Sequence, residues 1–190
     1  MVKLLNLQHT KLTFTMQSTH SISAADVEEM LPLVDREGKI IGKALRSQFH
    51  KDNSLFNPVV HVHIMNEKGE LFLQKRSMKK LIQPGKWDTS VGGHITYGEP
   101  LDEALRREAW EEAGVVDGVF LPLTTYLWEC EREREFINVF KCHYENPNPV
   151  AKAEIDDARF WTMDEIIRNI GKGVFTPNFE MEFVKIKGLL

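Results

Sequence analysis

Apolar and polar residues alternate along the first half of the chain, and short groups of turn residues interrupt the alternation. The stretch "MLPLVD" (30–35) is followed by "REGK" and then by "IIGKAL" (40–45), which predicts a β-hairpin. The stretch "VVHVHIM" (59–65) leads through "NEKG" to "ELFLQKR" (70–76), which predicts a second hairpin. The same type of pattern predicts three later strands, at 120–130, 135–144 and 158–161.

A helical pattern follows the two hairpins. Pro100 suits the first helical position, and Asp102 and Glu103 favour the positive end of the helix dipole. Gly114 supplies a C-terminal stop, so the pattern predicts a helix from Pro100 to Ala113.

Two more helices are predicted near the end of the chain. Thr162 and Glu165 form a capping box ahead of "MDEIIRNI", and the last helix opens at Thr176-Pro177. Strands precede, surround and follow the helices without strict alternation, which favours an α/β fold with a mixed sheet packed between helices. Residues 1–24 are polar and irregular, so we expect an N-terminal extension there and a single domain over 25–190.

Composition excludes some classes of function. With 42% hydrophobic and 27% charged residues, the chain is typical of a soluble globular protein. The formal net charge of −4 argues against a nucleic-acid partner, since the basic footprint for such a partner is missing. No run of residues approaches a signal peptide or a membrane span, so we expect a cytoplasmic protein without a membrane partner. Cys130 and Cys142 are then interpreted as reduced thiols.

Three glutamates lie close together in the predicted helix over 100–113. The stripe expected to face the core consists of Leu101, Leu105, Ala109 and Ala113. Glu108, Glu111 and Glu112 share one side of the helix, at the edge of this stripe, where carboxylates repel one another without a cation. Arg107 can offset one charge, whereas Mg²⁺ or Mn²⁺ can offset all three. The alternative is a solvated acidic face.

The spacing upstream of these glutamates decides between the two interpretations. Gly93, five residues, Glu99 and seven residues precede "REAWEEAGV" (107–115). The segment 93–115 resembles the Nudix box, G-x5-E-x7-R-E-U-x-E-E-x-G-U with U an aliphatic residue, and every fixed position matches. The resemblance implies the Nudix fold, an α/β/α sandwich. It also implies metal-dependent hydrolysis of a diphosphate linkage in a nucleoside diphosphate derivative or similar small molecule.

The resemblance also implies roles for individual residues. Mg²⁺ or Mn²⁺ would be held by Glu108, Glu111 and Glu112, completed by the Gly93 carbonyl and Glu99. Arg107 would orient the carboxylates. Metal ions neutralise the phosphate oxygens and activate water, while a free carboxylate takes its proton. Glu108 is the candidate base, although one carboxylate cannot be both a full metal ligand and a free base.

A second resemblance extends over about residues 28–170. "PLVDREGKIIGKALRSQFH", "KGELFLQKRS" and "PGKWDTSVGGH" are similar to type I isopentenyl-diphosphate isomerases, which share the fold and do not hydrolyse. The metal-binding side chains of those enzymes correspond here to His50, Asn57, His94, Glu133 and Glu135. Their catalytic cysteine corresponds to Gly92, which has no group that could move a proton. Hydrolysis is therefore favoured, and isopentenyl-diphosphate isomerisation is the alternative.

Other assignments are left open by the sequence. His50, His94, Glu133 and Glu135 form either a second metal site or the polar rim of a pocket. Candidate substrate contacts are Lys75, Arg76 and Trp161, each of which has an ordinary structural alternative. A binding module without catalysis is a third class, although such a module normally has a damaged box. A homodimer is an alternative to a monomer, and the identity of the substrate lies in loops around 44–58, 77–90 and 119–135.

Overall fold

The computed structural model describes residues 28–52, 54–131, 133–149 and 154–190. The predicted extension at 1–24 lies outside the described residues. The strands are β1 (Met30–Val34), β2 (Ile40–Leu45), β3 (Asn57–Met65), β4 (Leu71–Arg76), β5 (Trp87–Asp88), β6 (Val91–His94), β7 (Phe120–Glu129), β8 (Arg134–His143) and β9 (Ile155–Trp161). The helices are α1 (Arg46–Lys51), α2 (Leu101–Ala113), α3 (Met163–Asn169) and α4 (Pro177–Ile186).

Strand β3 is the centre of the main sheet, which contains seven strands within the described residues. It pairs in parallel with β8 along its whole length, whereas its other edge is shared antiparallel by β4 and β6. The predicted mixed sheet is therefore confirmed. Strands β1 and β2 form the predicted first hairpin as a separate two-stranded sheet.

The second predicted hairpin opens into a fork. Strand β4 pairs with β3 at Ile64–Phe72 and Met65–Leu71, next to the turn. Residues 87–94 fill the fork beyond these pairs: β5 pairs with β4, and β6 then pairs with β3. At the crossing point Ser90 accepts a hydrogen bond from the Ile64 amide at 2.8 Å, and Thr89 donates to the Val62 carbonyl at 3.3 Å. These hydroxyls satisfy buried backbone groups where the strand pairing is interrupted.

Helices cover both faces of the sheet, which confirms the α/β/α sandwich. Val60, Val62 and Ile64 of β3 pack with α2 on one face. Val59 of β3 packs with α4 on the other face, beside a cluster that joins α3 and α4 to β4 and β9. Because β3 is covered on both faces, all nine of its residues are buried.

The local predictions for the helices hold with two differences. The capping box is confirmed, because Glu165 N donates to Thr162 Oγ1 at 3.2 Å and Thr162 N donates to Glu165 Oε2 at 2.9 Å. Pro100 is the N-cap of α2 rather than its first helical residue. The expectation that Leu101 faces the core is wrong, since 40% of it is exposed while Ala104 is fully buried. No helix in the described part of the chain has the length and apolar character needed to cross a membrane.

Replacing Gly114 with alanine should destabilise the protein more than the same change at Gly69. Both glycines have a left-handed φ, 64° and 73°, which adds roughly 1–2 kcal/mol for any other residue. At Gly114 the added Cβ would also overlap the Asn148 carbonyl, whereas nothing lies within 4 Å at Gly69. Denaturant unfolding of both variants measures the difference. Equal losses would show that the Asn148 contact contributes nothing.

Candidate functional site

The glutamate helix α2 lies close against strand β6 because the contact surfaces carry small residues. Ala104, Ala109 and Ala113 are completely buried on the inner side of α2. On β6, Gly93 faces the Glu108 carboxylate, and a Cβ built at Gly93 would overlap that carboxylate. The glycine is therefore required here by the carboxylate itself, which rests on bare backbone.

Arg107 connects the parts of the site. Its Nε and Nη2 donate to the two oxygens of Glu99, each at 2.8 Å, and Nη2 also donates to the His94 carbonyl at 3.0 Å. Its Nη1 donates to Glu108 Oε1 at 2.7 Å and lies 3.6 Å from Glu111 Oε2. The hydrogen bonds from Arg107 hold the pKa of Glu99 below its ordinary value. The orienting role expected of Arg107 stays a prediction, and these contacts would allow Arg107 to hold Glu99 and Glu108 in place.

Glu108 and Glu112 are carboxylates in an unfavourable environment for negative charge. Burial raises the pKa of Glu112 to about 7, although the Gly92 amide and the Gln74 side chain each donate to Oε2 at 2.8 Å. Burial also raises the pKa of Glu108, against the opposing effect of Arg107. The charge of Glu108 further raises the pKa of Glu112. Two carboxylates whose ionisation is opposed by burial form a donor set that suits a hard divalent cation.

Glu111 completes the predicted ligand set from a more exposed position. Its side chain is 41% exposed, compared with 11% for Glu108. Among the described residues, no group of three or more His, Cys, Asp and Glu side chains is arranged to hold a metal ion. The carboxylates are instead directed at Arg107, Gln74 and the Gly92 amide. The assignment of Gly93, Glu99, Glu108, Glu111 and Glu112 as ligands stays a prediction, and the chemistry of the Glu108 and Glu112 carboxylates fits such an ion.

The second group of predicted ligands lines a single cavity. That cavity is bordered by His50, His94, Glu133 and Glu135, together with the buried Asn57. Burial raises the pKa of Glu135 to about 7, and burial with the charge of Arg46 lowers the pKa of His94 to about 3. The four residues are thus brought together, but metal binding by them stays a prediction.

The predicted substrate contacts lie in different environments. Arg76 donates to Asp88 Oδ2 at 3.1 Å and to the Ile82 carbonyl at 3.2 Å, and Lys75 is partly buried next to it on β4. Trp161 is only 6% exposed and packs edge to face against Trp87 and Phe175. This packing favours a core role for Trp161 over the predicted contact with a substrate.

Two residues near the glutamates were not singled out in the sequence. Gln74 on β4 reaches across the fork to Glu112, a contact between positions 38 residues apart. The positive charge of Lys80 lowers the pKa of both Glu112 and His94, while its ammonium group forms an ion pair with Glu154. Lys80 belongs to the loop at 77–90 that was expected to influence substrate choice. No local motif distinguishes it from Lys79 or Lys86.

Comparison with known proteins defines the class. Residues 55–179 match the family model described as NUDIX domain, so the chain belongs to the Nudix family. An uncharacterised Nudix hydrolase of Pseudomonas aeruginosa is 29% identical over 72% of this chain and 80% of that protein. An isopentenyl-diphosphate Δ-isomerase of Streptomyces avermitilis is 30% identical over 85% of this chain and 86% of that protein. Both resemblances noted in the sequence are confirmed.

Solved structures give the same fold. The crystal structure of DR0079 from Deinococcus radiodurans has a TM-score of 0.68 and 27% identity, and the match covers 83% of this chain and 98% of that one. The NUDIX domain of Shewanella oneidensis NrtR, solved with ADP ribose, has a TM-score of 0.58 and 16% identity, covering 70% of this chain and 86% of that one. The second likeness is one of fold alone.

In the absence of divalent ions, replacing Glu112 with glutamine should stabilise the protein at alkaline pH. The folded-state pKa of Glu112 is about 7 and lies above the ordinary 4.5. As the pH rises from 4.5 to about 7, Glu112 ionises in the unfolded chain before it does so in the folded protein, and the free energy of unfolding falls. The gain in unfolding free energy should therefore be small near about pH 4 and full near about pH 8. Denaturant unfolding with a chelator at both pH values measures it.

Glu103→Gln is the matched control, because Glu103 is exposed in the first turn of the same helix. Adding Mn²⁺ at alkaline pH should raise the melting temperature of the unmodified protein and not that of Glu112→Gln. An equal response of the two proteins to Mn²⁺ would contradict the assignment of Glu112 as a ligand.

Proposed function

We propose that this Nudix protein is a divalent-metal-dependent pyrophosphohydrolase that cleaves the diphosphate linkage of a nucleoside diphosphate derivative or similar small molecule. The observation that carries this proposal is the placement of two carboxylates, the buried Glu108 and the half-buried Glu112, against the glycine backbone of β6. Carboxylates in surroundings that disfavour their ionised form destabilise a fold unless a cation or proton offsets them. A function that needs a cation at this place explains why Glu108 and Glu112 occupy these positions.

The chain's own residues would divide the work as follows. Glu111 and Glu112 would hold Mg²⁺ or Mn²⁺ with the Gly93 carbonyl, joined by Glu108 only if another group is the base. Arg107 would keep Glu99 and Glu108 in place. Such an ion, when bound, neutralises phosphate oxygens and lowers the pKa of a bound water. Glu108 would accept the proton of the attacking water, since burial raises its pKa toward the range in which a base works near neutral pH.

The class of substrate is supported by chemistry and by a neighbour of the same fold. A diphosphate brings several anionic oxygens to one place, which suits a site that concentrates divalent cations. The Shewanella oneidensis NUDIX domain was solved with ADP ribose, a nucleoside diphosphate derivative. For this chain a small diphosphate of that type is therefore the first substrate to test.

Isopentenyl-diphosphate isomerisation is the second candidate, because relatives with that activity cover most of the chain. Two residues argue against it. Gly92 stands where the resemblance puts a catalytic cysteine, and Asn57 stands where it puts a metal-binding histidine. Without an acidic group at position 92, no residue there can give a proton to the carbon–carbon double bond.

Replacing Glu108 or Glu112 with glutamine should lower turnover by at least ~100-fold, the usual size of a lost acid–base or metal contribution. Turnover is measured with a panel of nucleoside diphosphate derivatives in Mn²⁺, by release of phosphate or monophosphate. Glu103→Gln controls for the loss of any acidic residue from α2. If raising the Mn²⁺ concentration restores Glu112→Gln and not Glu108→Gln, the two roles are separated. Near-full activity of either variant would remove the mechanism.

Incubation with isopentenyl diphosphate and Mg²⁺ should give no dimethylallyl diphosphate, since Gly92 offers no proton donor. Product analysis by mass-resolved chromatography or NMR measures this. Clear conversion would promote the isomerase. A panel in which no compound is hydrolysed or isomerised would favour a binding module without catalysis.

A further inference from the structure

A buried polar cluster joins α4 to the sheet on the face opposite α2. Glu182 of α4 is completely buried and accepts from His63 Nε2 at 2.6 Å through one oxygen. Its other oxygen accepts from His61 Nδ1 at 2.9 Å and from the Tyr126 hydroxyl at 2.7 Å. The Tyr126 oxygen also lies 2.9 Å from Asn178 Oδ1. These five residues are called the Glu182 cluster below.

The Glu182 cluster needs a cation. An ionised carboxylate without water is strongly unfavourable unless a positive charge pairs with it. Burial opposes a charged imidazole, but the charge of Glu182 outweighs it and raises the pKa of His61 to about 9. In turn, the charge of His61 outweighs burial and lowers the pKa of Glu182. The pair is therefore an imidazolium and a carboxylate.

The two histidines of the cluster differ in access. The His63 side chain is 0% exposed, so it is closed off behind α4. The His61 side chain is 9% exposed, and the hydrogen bonds of the described residues engage only its Nδ1. An imidazolium carries a second N–H, so His61 retains one charged donor at Nε2.

The Nε2 edge of the His61 ring lies beside Gly92 of β6, the residue that pairs with His61 across the sheet. The Cδ2 and Nε2 atoms of His61 lie 3.6 Å from the position that a Cβ would occupy on Gly92. Gly92 is exposed, and it has no side chain to cover the ring edge. Its amide meanwhile donates to Glu112. One exposed glycine therefore separates the predicted metal ligands from the imidazolium.

Apart from Glu182, which is bonded to Nδ1, the described carboxylates near His61 do not accept its Nε2–H. Asp88 acts on its pKa but already accepts from Arg76, from Thr176 and from the Thr89 amide. Glu135 also raises the pKa of His61, but it lines the cavity beside His50 and His94, and no described hydrogen bond joins it to His61. A metal-bound diphosphate is the anion of the proposed reaction that could take the remaining N–H.

We infer that His61 is a substrate-binding residue whose Nε2–H donates to an oxygen of the diphosphate, and that Glu182 is the positioning residue that holds the ring for this contact. The inference rests on the proposed function for the nature of the ligand. It assigns a role to α4, which reaches the site through Glu182. It also explains the glycine at position 92, because a larger side chain there would cover the Nε2–H of His61.

The test uses methylenediphosphonate, a diphosphate that cannot be hydrolysed, with Mg²⁺ and the full chain. Calorimetric titration should show His61→Gln weakening the Kd by roughly 10-fold or more, as for the loss of a hydrogen bond to a charged group. Tyr126→Phe is the matched control, because it removes a hydrogen bond from the same Glu182 oxygen while leaving the imidazole in place. Its thermal stability should fall with the Kd unchanged.

A measurement on the unmodified protein does not depend on the folding of a variant. The ¹⁵N resonances of His61 should be those of an imidazolium, and Nε2 should shift when methylenediphosphonate binds. In Glu182→Gln the same resonances should become those of a neutral ring, and the Kd for the probe should weaken as well. If the cluster were purely structural, the change in the resonances would not be accompanied by a weaker Kd. An unmoved His61 signal at saturation, no binding of the probe to the unmodified protein, or an unchanged Kd in His61→Gln would overturn the inference.

The two proposals fail in different ways. If the substrate panel gives no hydrolysis while His61 responds to the probe, the proposed function is wrong and the binding contact stands. If Glu108→Gln abolishes hydrolysis while His61→Gln changes neither the Kd of the probe nor the KM, the binding contact is wrong and the proposed function stands.

Discussion

The close approach of the glutamate helix to bare backbone is the constraint on which the site depends. Gly93 has no Cβ, so Glu108 can rest directly on strand β6, and Gly92 offers its amide to Glu112. Burial raises the pKa of both carboxylates, and the compensating positive charge comes from Arg107 at Glu108 and from Lys80 at Glu112. A structural helix gains nothing from such an arrangement, whereas a cation-binding helix requires it.

The glutamate helix and its arginine could be predicted because their contacts are local. Gly93, Glu99, Arg107 and the three glutamates follow one spacing along a helix and the segment before it. The structure places Glu99 and Glu108 against Arg107, and Glu108 against Gly93. The contact between His61 and Glu182 joins positions 121 residues apart, and no periodicity encodes such a pairing. The exposed Leu101 shows a smaller limit, since a helical stripe predicts which side faces inward but not where the sheet beneath it ends.

The chain combines an isomerase-like scaffold with a hydrolase-like box. Position 92 is where the chain differs from the isomerases in a catalytic residue. The isomerase relatives and the Nudix hydrolase relatives have similar identity to this chain, so overall similarity does not choose between the activities. A single side chain is more informative, because proton transfer at carbon requires an acidic group and glycine has none. Function on a shared fold is decided by such local chemistry.

The bridge that Glu112 makes between β4 and β6 has a consequence for ligand exchange at the site. Glu112 Oε2 accepts from both the Gln74 side chain and the Gly92 amide, which belong to different strands. A cation that drew this oxygen toward itself would leave two N–H groups without an acceptor, in a place where unsatisfied donors are unfavourable. An incoming phosphate oxygen is such an acceptor. Carboxylate and phosphate would then compete for one set of donors, so that departure of the phosphate ligand would restore the bridge.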